Sequence, residues 1–300
     1  MKKVEFMKTL KYSLRFIPDE LYVRIYYRFR VKRKLNLKNP RTFNEKLNWL
    51  KFNDRNPFYT IVVDKLANRD YIKRTIGEEY LIPLLGAWDC FDDIDFRRLP
   101  NQFVLKCNHD SGGLVICTDK QKLDRDAARK KIEHSLKCKF YYVGREWQYK
   151  NITPKVICEQ LIGDGKTLPV DYKFMCFNGK PDSVMVCYGR ETGNAKFFFF
   201  DMEWKLKRYN EWGKNAPENF MLPKPKNFER MIEIAEILSK PYYFARIDLY
   251  NINGKIYFGE ITLCPNSGFD ANLTLETDML FGKKLCLPVI DFLREDRDKC

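Results

Sequence analysis

The stretch ARIDLYNINGKIYFGEITLCPNSGF spans residues 245–269 and carries the strongest structural signal in the chain. Two strand-like runs, Phe244–Tyr250 and Lys255–Ile261, flank the dipeptide Asn253-Gly254. An Asn-Gly pair between two such runs favours the tight turn of a β-hairpin. The stretch therefore predicts two antiparallel strands, followed by a loop with the sequence Pro-Asn-Ser-Gly.

Three charged side chains meet on one face of this predicted hairpin. Arg246 and Asp248 are two residues apart, so they share a face, and the turn brings Glu260 opposite them. Neighbouring carboxylates repel each other unless a cation lies between them, and oxygen ligands suit Mg²⁺. Arg246 would suit an oxyanion or a phosphoryl group. A salt bridge on an exposed sheet face explains the same pattern, and the stretch alone leaves both interpretations open.

The charge balance of the whole chain predicts an anionic partner. Among 300 residues, 54 are Lys or Arg and 40 are Asp or Glu, which gives a net charge of +14. Such a charge suits nucleic acid, an anionic membrane surface or a polyanionic substrate, but the sequence contains no known nucleic-acid-binding module. The densest basic patch is N-terminal and is interpreted either as a solvated face or as a membrane-surface contact. Its residues are Arg15, Arg24, Arg28, Arg30, Arg33 and Lys34.

Targeting and redox features favour a cytoplasmic protein. No apolar run reaches the length of a membrane span, and the N-terminal sequence MKKVEFMKTLKYSLRFI lacks the apolar core of a secretory signal. The ten cysteines are scattered without a CxxC pair, which favours buried free thiols in a reducing compartment. Five of them fall inside apolar, strand-like runs: Cys107, Cys117, Cys158, Cys176 and Cys187.

Local patterns predict an α+β fold with two mostly antiparallel sheet lobes. Thr42-Phe43-Asn44-Glu45 has the spacing of a capping box, and further helices are expected from Arg125 to about Lys139 and at Phe228–Lys240. The segment 212–227, rich in Pro and Asn, is expected to be a loop. The remaining strand-like runs are Leu81–Leu85, Phe103–Cys107, Leu114–Cys117, Lys155–Leu161, Asp171–Phe177, Ser183–Tyr188 and Lys196–Asp201.

The hairpin sequence resembles the metal-binding hairpin of ATP-grasp ligases, which runs R-x-D, turn, E-x-N and a Pro-Gly loop. The matching positions are Arg246, Asp248, Glu260 and the Pro265 loop. Most of the chain, starting from NPRTFNEKLNWLKFNDRNP at Asn39, is similar to the TupA-like ATP-grasp family, which is linked to bacterial surface polysaccharide synthesis. The resemblance implies an ATP-grasp fold in which two α+β lobes sandwich ATP.

We expect the chain to divide into three parts. A helical N-terminal region would cover residues 1–60. A small lobe with a phosphate loop would cover residues 61–150. A C-terminal lobe with the metal-binding hairpin would cover residues 151–300.

The same resemblance implies a set of nucleotide-binding residues. Lys65 matches the lysine that approaches the phosphates, and LPNQFVLKCNHDSGG matches a strand and its phosphate loop. Lys106 ends that strand, so its charge would be costly without an anionic partner. Ser111, Gly112 and Gly113 could close backbone N–H groups over phosphates. His109 either orders this loop through a hydrogen bond or contacts a phosphate.

Further along the chain, KVICEQLIGDG resembles the strand and hinge that contact adenine. Glu159, Gln160 and Leu161 would meet the purine. Asp171 matches the acid that binds ribose hydroxyls, and Lys173 on the same face would reach a phosphate or the acceptor.

The metal shell departs from the classical ligase pattern. Asp248 and Glu260 are the expected Mg²⁺ ligands, but Thr262 stands where those ligases have asparagine. The hydroxyl of Thr262 or the amide of Asn266 would have to complete the shell.

The reaction implied is ATP-dependent ligation of a carboxylate to an amine through an acyl phosphate. Arg246, Lys106 and Lys173 would act in catalysis, with ATP and Mg²⁺ as cofactors. The expected acceptor is a uronic acid or related carboxylate of a capsule, O-antigen or teichuronic polysaccharide, or of a sugar-nucleotide or lipid-linked precursor. The amine would come from an amino acid. We expect the protein in the cytoplasm, with peripheral association to the inner membrane face as an option.

Two other functions remain open from the sequence. A glycosyltransferase of the same pathway would need a D-x-D motif, and Asp93-Ile94-Asp95 has that spelling within a charged stretch. A non-catalytic ATP-grasp-like protein that binds polyanions would explain the missing Glu-x-Asn asparagine and the basic charge.

Overall fold

The computed structural model describes residues 11–163, 168–189 and 194–288. Residues 1–10 of the expected N-terminal region and residues 289–300 of the expected C-terminal lobe lie outside this range. No helix of the described ranges combines the length and the apolar character of a membrane span. The α-helices are α1 (Asp19–Val31), α2 (Phe43–Asn53), α3 (Phe58–Val63), α4 (Asn68–Thr75), α5 (Arg125–Lys137), α6 (Tyr141–Gly144), α7 (Glu211–Lys214), α8 (Phe228–Ser239) and α9 (Leu275–Lys284).

The helical character expected near the N-terminus is present, and the predicted capping box begins α2. The Thr42 side chain accepts a hydrogen bond from the Glu45 amide at 3.3 Å, and the Glu45 carboxylate accepts one from the Thr42 amide at 3.1 Å. Two backbone donors at the helix start are thereby satisfied. The box fixes where α2 begins.

The first sheet has four antiparallel strands in the order β1-β4-β2-β3. They are β1 (Leu84–Trp88), β2 (Phe103–Cys107), β3 (Leu114–Cys117) and β4 (Val156–Gln160). Strand β1 lies three residues later than the run predicted at Leu81–Leu85. Pro83 has no amide hydrogen to donate, and its carbonyl instead accepts a hydrogen bond from the Gln160 amide. Strand β4 belongs to this sheet although it follows the boundary suggested at residue 150.

The second sheet has six antiparallel strands in the order β10-β9-β5-β6-β7-β8. They are β5 (Asp171–Phe177), β6 (Lys180–Tyr188), β7 (Lys196–Asp201), β8 (Leu206–Lys207), β9 (Phe244–Ile252) and β10 (Lys255–Thr262). This mixture of helices and two antiparallel sheets confirms the predicted α+β class. Strand β5, in the middle of this sheet, is buried along its whole length.

The predicted hairpin forms from β9 and β10. Asn253 and Gly254 have φ angles of 54° and 96°, which is the left-handed pair that a two-residue type I′ turn requires. In the resulting register, Glu260 pairs with Asp248 and Thr262 pairs with Arg246. The three charged residues therefore lie together on the sheet.

Alternation along β5 and β9 separates two faces of the second sheet. Phe174 and Ile247 point to the face covered by α8, where they pack with Met231. Lys173 and Arg246 point to the opposite face. That opposite face carries the charged residues at one end and an aromatic cluster at the other, consisting of Phe43, Phe177, Phe199, Phe244 and Phe281.

Helix α9 was not anticipated from the sequence. Its stretch LETDMLFGKK contains Gly282, which weakens a helical pattern. A Cβ at Gly282 would lie 2.1 Å from the Arg41 carbonyl oxygen. The glycine therefore permits α9 to pack closely against the segment before α2. The short helix α7 was likewise not anticipated, and it overlaps the start of the stretch 212–227 that was expected to be a loop.

Every cysteine in the described ranges is a free thiol, and the five in apolar runs are buried. The prediction of buried thiols is confirmed for these positions.

Candidate active site

A cleft of about 380 Å³ lies between the first sheet and the charged face of the second sheet. It contains side chains or backbone from β2, β3, β4, β5, β9 and β10. Most of the residues predicted for nucleotide, metal or catalysis line it. These are Lys65, Lys106, Ser111, Gly112, Gly113, Glu159, Gln160, Leu161, Asp171, Lys173, Arg246, Asp248 and Glu260.

The centre of the cleft is a network of charges built on adjacent strands. Arg246 donates to both oxygens of Asp248 at 2.7 Å and to Glu260 at 3.1 Å. Lys173 lies directly across from Asp248 in the sheet register, donates to it, and pairs with Asp171 at 2.6 Å. Because these groups alternate in sign, a mostly buried cluster of five charges is tolerated.

The electrostatics of this network favour the charged forms of Arg246, Lys173 and Glu260, whereas burial raises the pKa of Asp248. Burial alone would lower the pKa of Arg246 and of Lys173, but Asp248 and the other nearby acids raise both pKa values. Burial alone would raise the pKa of Glu260, but Lys65, Arg246 and further cations lower it to about 2. Glu260 is also the most accessible of the acids, with 37% of its side chain exposed. It is therefore an ionised carboxylate that faces the cleft.

Two lysines reach the cleft opposite this network, Lys65 from the turn between α3 and α4 and Lys106 from β2. The Lys65 ammonium donates to the Asp110 carbonyl oxygen at 2.8 Å and lies 3.7 Å from Glu260. The Lys106 ammonium lies 2.5 Å from Glu159. The anionic partner that Lys106 was expected to need is therefore supplied by the chain itself.

Arg69 completes the lysine-side network and was missed in the sequence. It donates to Glu159 at 3.2 Å and to the Ile82 carbonyl oxygen at 2.7 Å. Arg69 lies on α4 within the sequence NRDYIKRT, where other basic residues give it no distinguishing pattern. Only the tertiary structure separates it from exposed neighbours such as Lys73.

The predicted phosphate loop connects β2 to β3. Gly112 has a φ of 109°, a conformation that favours glycine. A Cβ on Gly113 would lie 2.0 Å from the Ser135 hydroxyl oxygen of α5, and that hydroxyl donates to the Asp110 carboxylate. Gly112 is thus favoured by the backbone conformation and Gly113 by the close approach of Ser135, and the loop is held against α5.

His109 does not line the cleft. It is buried, and its Nε2 lies 3.0 Å from the Cys138 carbonyl oxygen at the end of α5. Burial lowers the pKa of His109. Of the two roles considered from the sequence, this geometry fits the ordering of the loop and not contact with a phosphate.

Two of the four expected metal ligands lie outside the cleft lining. Thr262 contacts Arg246 at 3.0 Å and Glu260 at 3.3 Å. Asn266 lines a different cavity. Among the described residues, no group of three or more His, Cys, Asp or Glu side chains could by itself hold a metal ion. A metal at Glu260 and Asp248 would have to draw its other ligands from a bound molecule.

That different cavity, of about 260 Å³, adjoins the cleft. We call it the second cavity. It shares Lys173 and Arg246 with the cleft, so these two cations stand in the wall between the two spaces. Its other lining residues are Phe43, Met175, Met185, Phe197, Phe199, Asn210, Trp212, Pro265, Asn266, Asp270, Asn272 and Leu273.

The Pro265–Gly268 loop forms one side of the second cavity and has an unusual backbone. Asn266, Ser267 and Gly268 have consecutive positive φ angles of 49°, 53° and 67°, a strained arrangement that needs support. The Ser267 hydroxyl donates to buried Glu146 at 2.6 Å. Asn48 of α2 donates to the Gly268 carbonyl oxygen at 2.7 Å.

Helix α2 continues this support beyond the loop. The Asn44 side chain accepts from the Asp270 amide at 2.8 Å and donates to the Asp270 carbonyl oxygen at 3.1 Å. Asn44 and Asn48 are one turn apart on α2 and fully buried. Buried amides are costly unless they are hydrogen-bonded, so this polar stripe fixes the loop in place.

With this geometry established, comparison with known proteins identifies the fold. The chain matches the TupA-like ATPgrasp family over residues 45–286. It belongs to that family. The two sheets are the two halves of an ATP-grasp fold, and the family match confirms the resemblance noted from the hairpin.

Solved ATP-grasp structures share only distant similarity with this chain. The D-alanine–D-alanine ligase of Bacillus anthracis is 17% identical with a TM-score of 0.43, covering 74% of this chain and 66% of the ligase. The Helicobacter pylori enzyme is 13% identical with a TM-score of 0.44, covering 83% and 68%. The D-cycloserine synthetase DcsG is 13% identical with a TM-score of 0.40, covering 76% and 71%. The chain thus spans less than two thirds of the B. anthracis ligase. No curated protein matches it.

Proposed function

We propose that this ATP-grasp protein is an ATP-dependent carboxylate–amine ligase that acts through an acyl phosphate. The observation that carries the proposal is the wall shared by two cavities. Arg246 and Lys173 face both the cleft and the second cavity. A phosphoryl group entering from one side and a carboxylate entering from the other would meet at these two cations.

ATP would occupy the cleft with its base at the hinge and its phosphates towards the lysines. Apolar side chains suited to a flat base line the hinge end: Ile82, Val104, Ile116, Leu161, Ile162 and Leu168. Asp171 would accept hydrogen bonds from the ribose. Lys65, Lys106 and the loop from Ser111 to Gly113 would bind the phosphates.

The donor set in the cleft also fits Mg²⁺. Glu260 is an ionised and accessible carboxylate beside Asp248, and Mg²⁺ in phosphate sites takes one or two carboxylates with phosphate oxygens and water. Asp248 and Glu260 would hold it, and the ion would neutralise charge on the phosphates when bound. Thr262 would support Glu260 through its hydroxyl.

The chain's own cations would carry the two steps. In the first, an oxygen of the acceptor carboxylate attacks the γ-phosphorus of ATP and ADP leaves, with Lys106 and Lys173 binding the transferring group. In the second, the amine attacks the acyl carbon, Arg246 binds the oxyanion, and phosphate leaves as the carbonyl re-forms. The nitrogen loses a proton to solvent, and the products are an amide, ADP and phosphate.

The lining of the second cavity supports a ring-shaped acceptor that carries a carboxylate. Phe197 and Trp212 lie with ring centroids 5.3 Å apart and offer apolar faces to a sugar ring. Asn272 and Asp270 offer groups that bind hydroxyls or an amine. We therefore propose a uronic acid, or a related carboxylate of a capsule, O-antigen or teichuronic polysaccharide or its nucleotide-linked or lipid-linked precursor. An amino acid or another amine would be the nucleophile.

The use of ATP and the free thiols support a cytoplasmic location, at the inner face of a membrane where carrier-linked glycans are assembled.

The position of the Asp93-Ile94-Asp95 motif does not support the glycosyltransferase alternative. Neither Asp93 nor Asp95 lines the cleft or the second cavity, and Asp95 pairs with Arg97 at the surface.

The test is product formation from purified protein with ATP, Mg²⁺, a panel of uronic acids and glycans, and a panel of amino acids. We expect ADP and phosphate release that depends on both acceptors, with an amide product of matching mass. Tight ATP binding without turnover on any pair would favour the non-catalytic alternative. Transfer from a nucleotide-sugar without ATP would favour the glycosyltransferase.

A further inference from the structure

Helix α1 has apolar side chains on two faces, and only one of them is packed. The packed face contacts Leu35 and Phe269 and contains Tyr22, Val23 and Tyr27. The other face carries Leu21, Ile25 and Phe29, which are 50%, 57% and 66% exposed. Their spacing of four residues places them in one row along the helix. We call this row the apolar stripe.

The turn that precedes α1 adds to this exposed apolar character. Phe16 is 80% exposed, and Leu14 is 38% exposed. Single exposed apolar residues are ordinary, but an exposed row along a helix indicates a surface that binds something. Residues 19–31 also precede the region matched by the family, 45–286. No residue of the stripe lines the cleft or the second cavity.

The charge around the stripe has a single sign. Residues 11–34 contain eight Lys or Arg and two acids. Glu20 pairs with Arg24 at 2.7 Å, and Asp19 pairs with Arg145 at 3.3 Å, so both acids are occupied within the chain. The exposed basic residues of this segment include Arg15, Arg28, Arg30, Lys32 and Lys34.

The basic residues also lie where an interfacial helix needs them. With about 100° of rotation per residue, Arg28 and Arg24 lie about 20° and 60° to one side of Leu21, away from Ile25 and Phe29. An apolar row beside arginines is typical of helices that lie in the plane of an anionic bilayer, with the row in the acyl region and the cations at the headgroups.

We propose that the apolar stripe and its basic flank dock this protein on an anionic lipid bilayer, with α1 parallel to the surface. A second protein copy is a poorer occupant, because a stable protein interface takes about 20 residues from each side. An anionic bilayer offers a continuous negative surface. That surface matches the basic flank of α1, because both acids of this segment are already paired within the chain. Docking depends only on α1 and its neighbours, so it can fail or succeed independently of the ligase chemistry.

The packed face of α1 connects this surface to the second cavity. Tyr26 and Tyr27 contact the ring of Phe269 at centroid distances of 4.8 Å and 6.4 Å. Phe269 directly follows the Pro265–Gly268 loop. Docking through α1 would therefore hold the second cavity near the bilayer, where an acceptor on a lipid carrier would be presented. This last consequence rests on the proposed function.

The experiment is co-sedimentation of the full chain with vesicles of phosphatidylcholine alone or of equimolar phosphatidylcholine and phosphatidylglycerol. The stripe variant carries Leu21→Ser, Ile25→Ser and Phe29→Ser, and the charge variant carries Arg28→Gln, Lys32→Gln and Lys34→Gln. The matched control carries Met221→Ser and Leu275→Ser, at residues that are 83% and 57% exposed elsewhere. Thermal unfolding and ATP binding of each variant report whether it is folded.

We expect the wild-type chain and the control to bind the anionic vesicles, with binding weakened by salt. Each of the other two variants should partition at least about tenfold less while unfolding and binding ATP normally. Equal binding by the stripe variant, or equal binding to neutral vesicles, would overturn the proposal. So would a wild-type dimer that the stripe variant converts to a monomer, or vesicle binding that appears only after residues 1–10 are removed.

Discussion

The cleft and the second cavity meet at the same two cations, Lys173 and Arg246, but are lined by different kinds of residues. The cleft is lined by lysines, glycines and acids from both sheets and their loops, with apolar side chains at its hinge end. The second cavity is lined by aromatic and sulfur-containing side chains of the second sheet, with a loop fixed by buried amides of α2. The difference indicates that the charges of the cleft would bind a triphosphate, and that the shape of the second cavity would select an acceptor.

Replacement of Arg246 should damage both cavities at once and give the largest effect. Arg246→Ala removes four hydrogen bonds and leaves buried Asp248 with Lys173 alone. We expect a loss of about 10³ in acceptor-dependent ADP release and of about 3 kcal/mol in the free energy of unfolding. Turnover assays and denaturant unfolding measure the two losses. Arg230→Ala, on the surface of α8, is the control. Equal behaviour of the two variants would contradict the claim that Arg246 serves both the cleft and the second cavity.

Replacement of Lys106 should affect the cleft without affecting the second cavity. Lys106→Met leaves Glu159 paired with Arg69, so the hinge keeps one of its ion pairs. We expect ATP to bind about 100-fold more weakly, because a phosphate-binding cation is lost, while KM for the acceptor at saturating ATP stays unchanged. Calorimetry with ATP and steady-state kinetics make the separation.

The control for that separation is Lys131→Ala. Lys131 is a half-buried lysine that donates to the Leu114 carbonyl oxygen beside the same loop. A parallel rise in acceptor KM in the Lys106 variant would show that the two cavities are not functionally distinct.

Replacement of Trp212 should affect the second cavity alone. Trp212→Ala removes one of the two rings that would contact the acceptor. We expect KM for the acceptor to rise about tenfold while the Kd for ATP stays the same. Tyr188→Ala, at a side chain 52% exposed at the end of β6, serves as the comparison. If weaker ATP binding accompanied the change in KM, the division of roles would be wrong.

The smallest expected effect concerns acid stability and Glu260. Its pKa falls from an ordinary 4.5 to about 2 in the fold, so its charge stabilises the protein above pH 4.5, and this contribution is lost as the pH falls towards 2. Its partial exposure limits the size of the contribution. Unfolding of wild type and Glu260→Gln should converge in stability over that window. A stability difference between the two proteins that does not change with pH would contradict the assigned charge network.

Local signals predicted much of the fold and of the cleft. Asn253-Gly254 fixes the hairpin, and alternation along β9 fixes which face Arg246 and Asp248 share, so short-range rules were sufficient there. Residues that depend on tertiary packing escaped prediction. Arg69 looks like any helix arginine, and Asn266 was expected as a metal ligand but lies in the second cavity.

The second cavity itself could not be predicted because its walls come from distant parts of the chain. Phe43, Met185 and Leu273 meet there only after α2, α9 and the second sheet have packed together. Helix α9 has a weak pattern because Gly282 serves close packing and not helix propensity. In a sequence, apolar residues indicate which positions are buried. Only the packing of the folded chain decides which of these residues line a cavity.

The central claim is that a carboxylate in the second cavity receives the phosphoryl group of a nucleotide in the cleft. The most direct measurement uses an acceptor whose carboxylate oxygens are oxygen-18, with ATP, Mg²⁺ and an amine, and determines the isotope in the released phosphate by mass spectrometry. We predict that the phosphate formed with each amide carries one heavy oxygen, because an acyl phosphate transfers it. Amide formation with unlabelled phosphate, or phosphate release without any labelled product, would contradict the account.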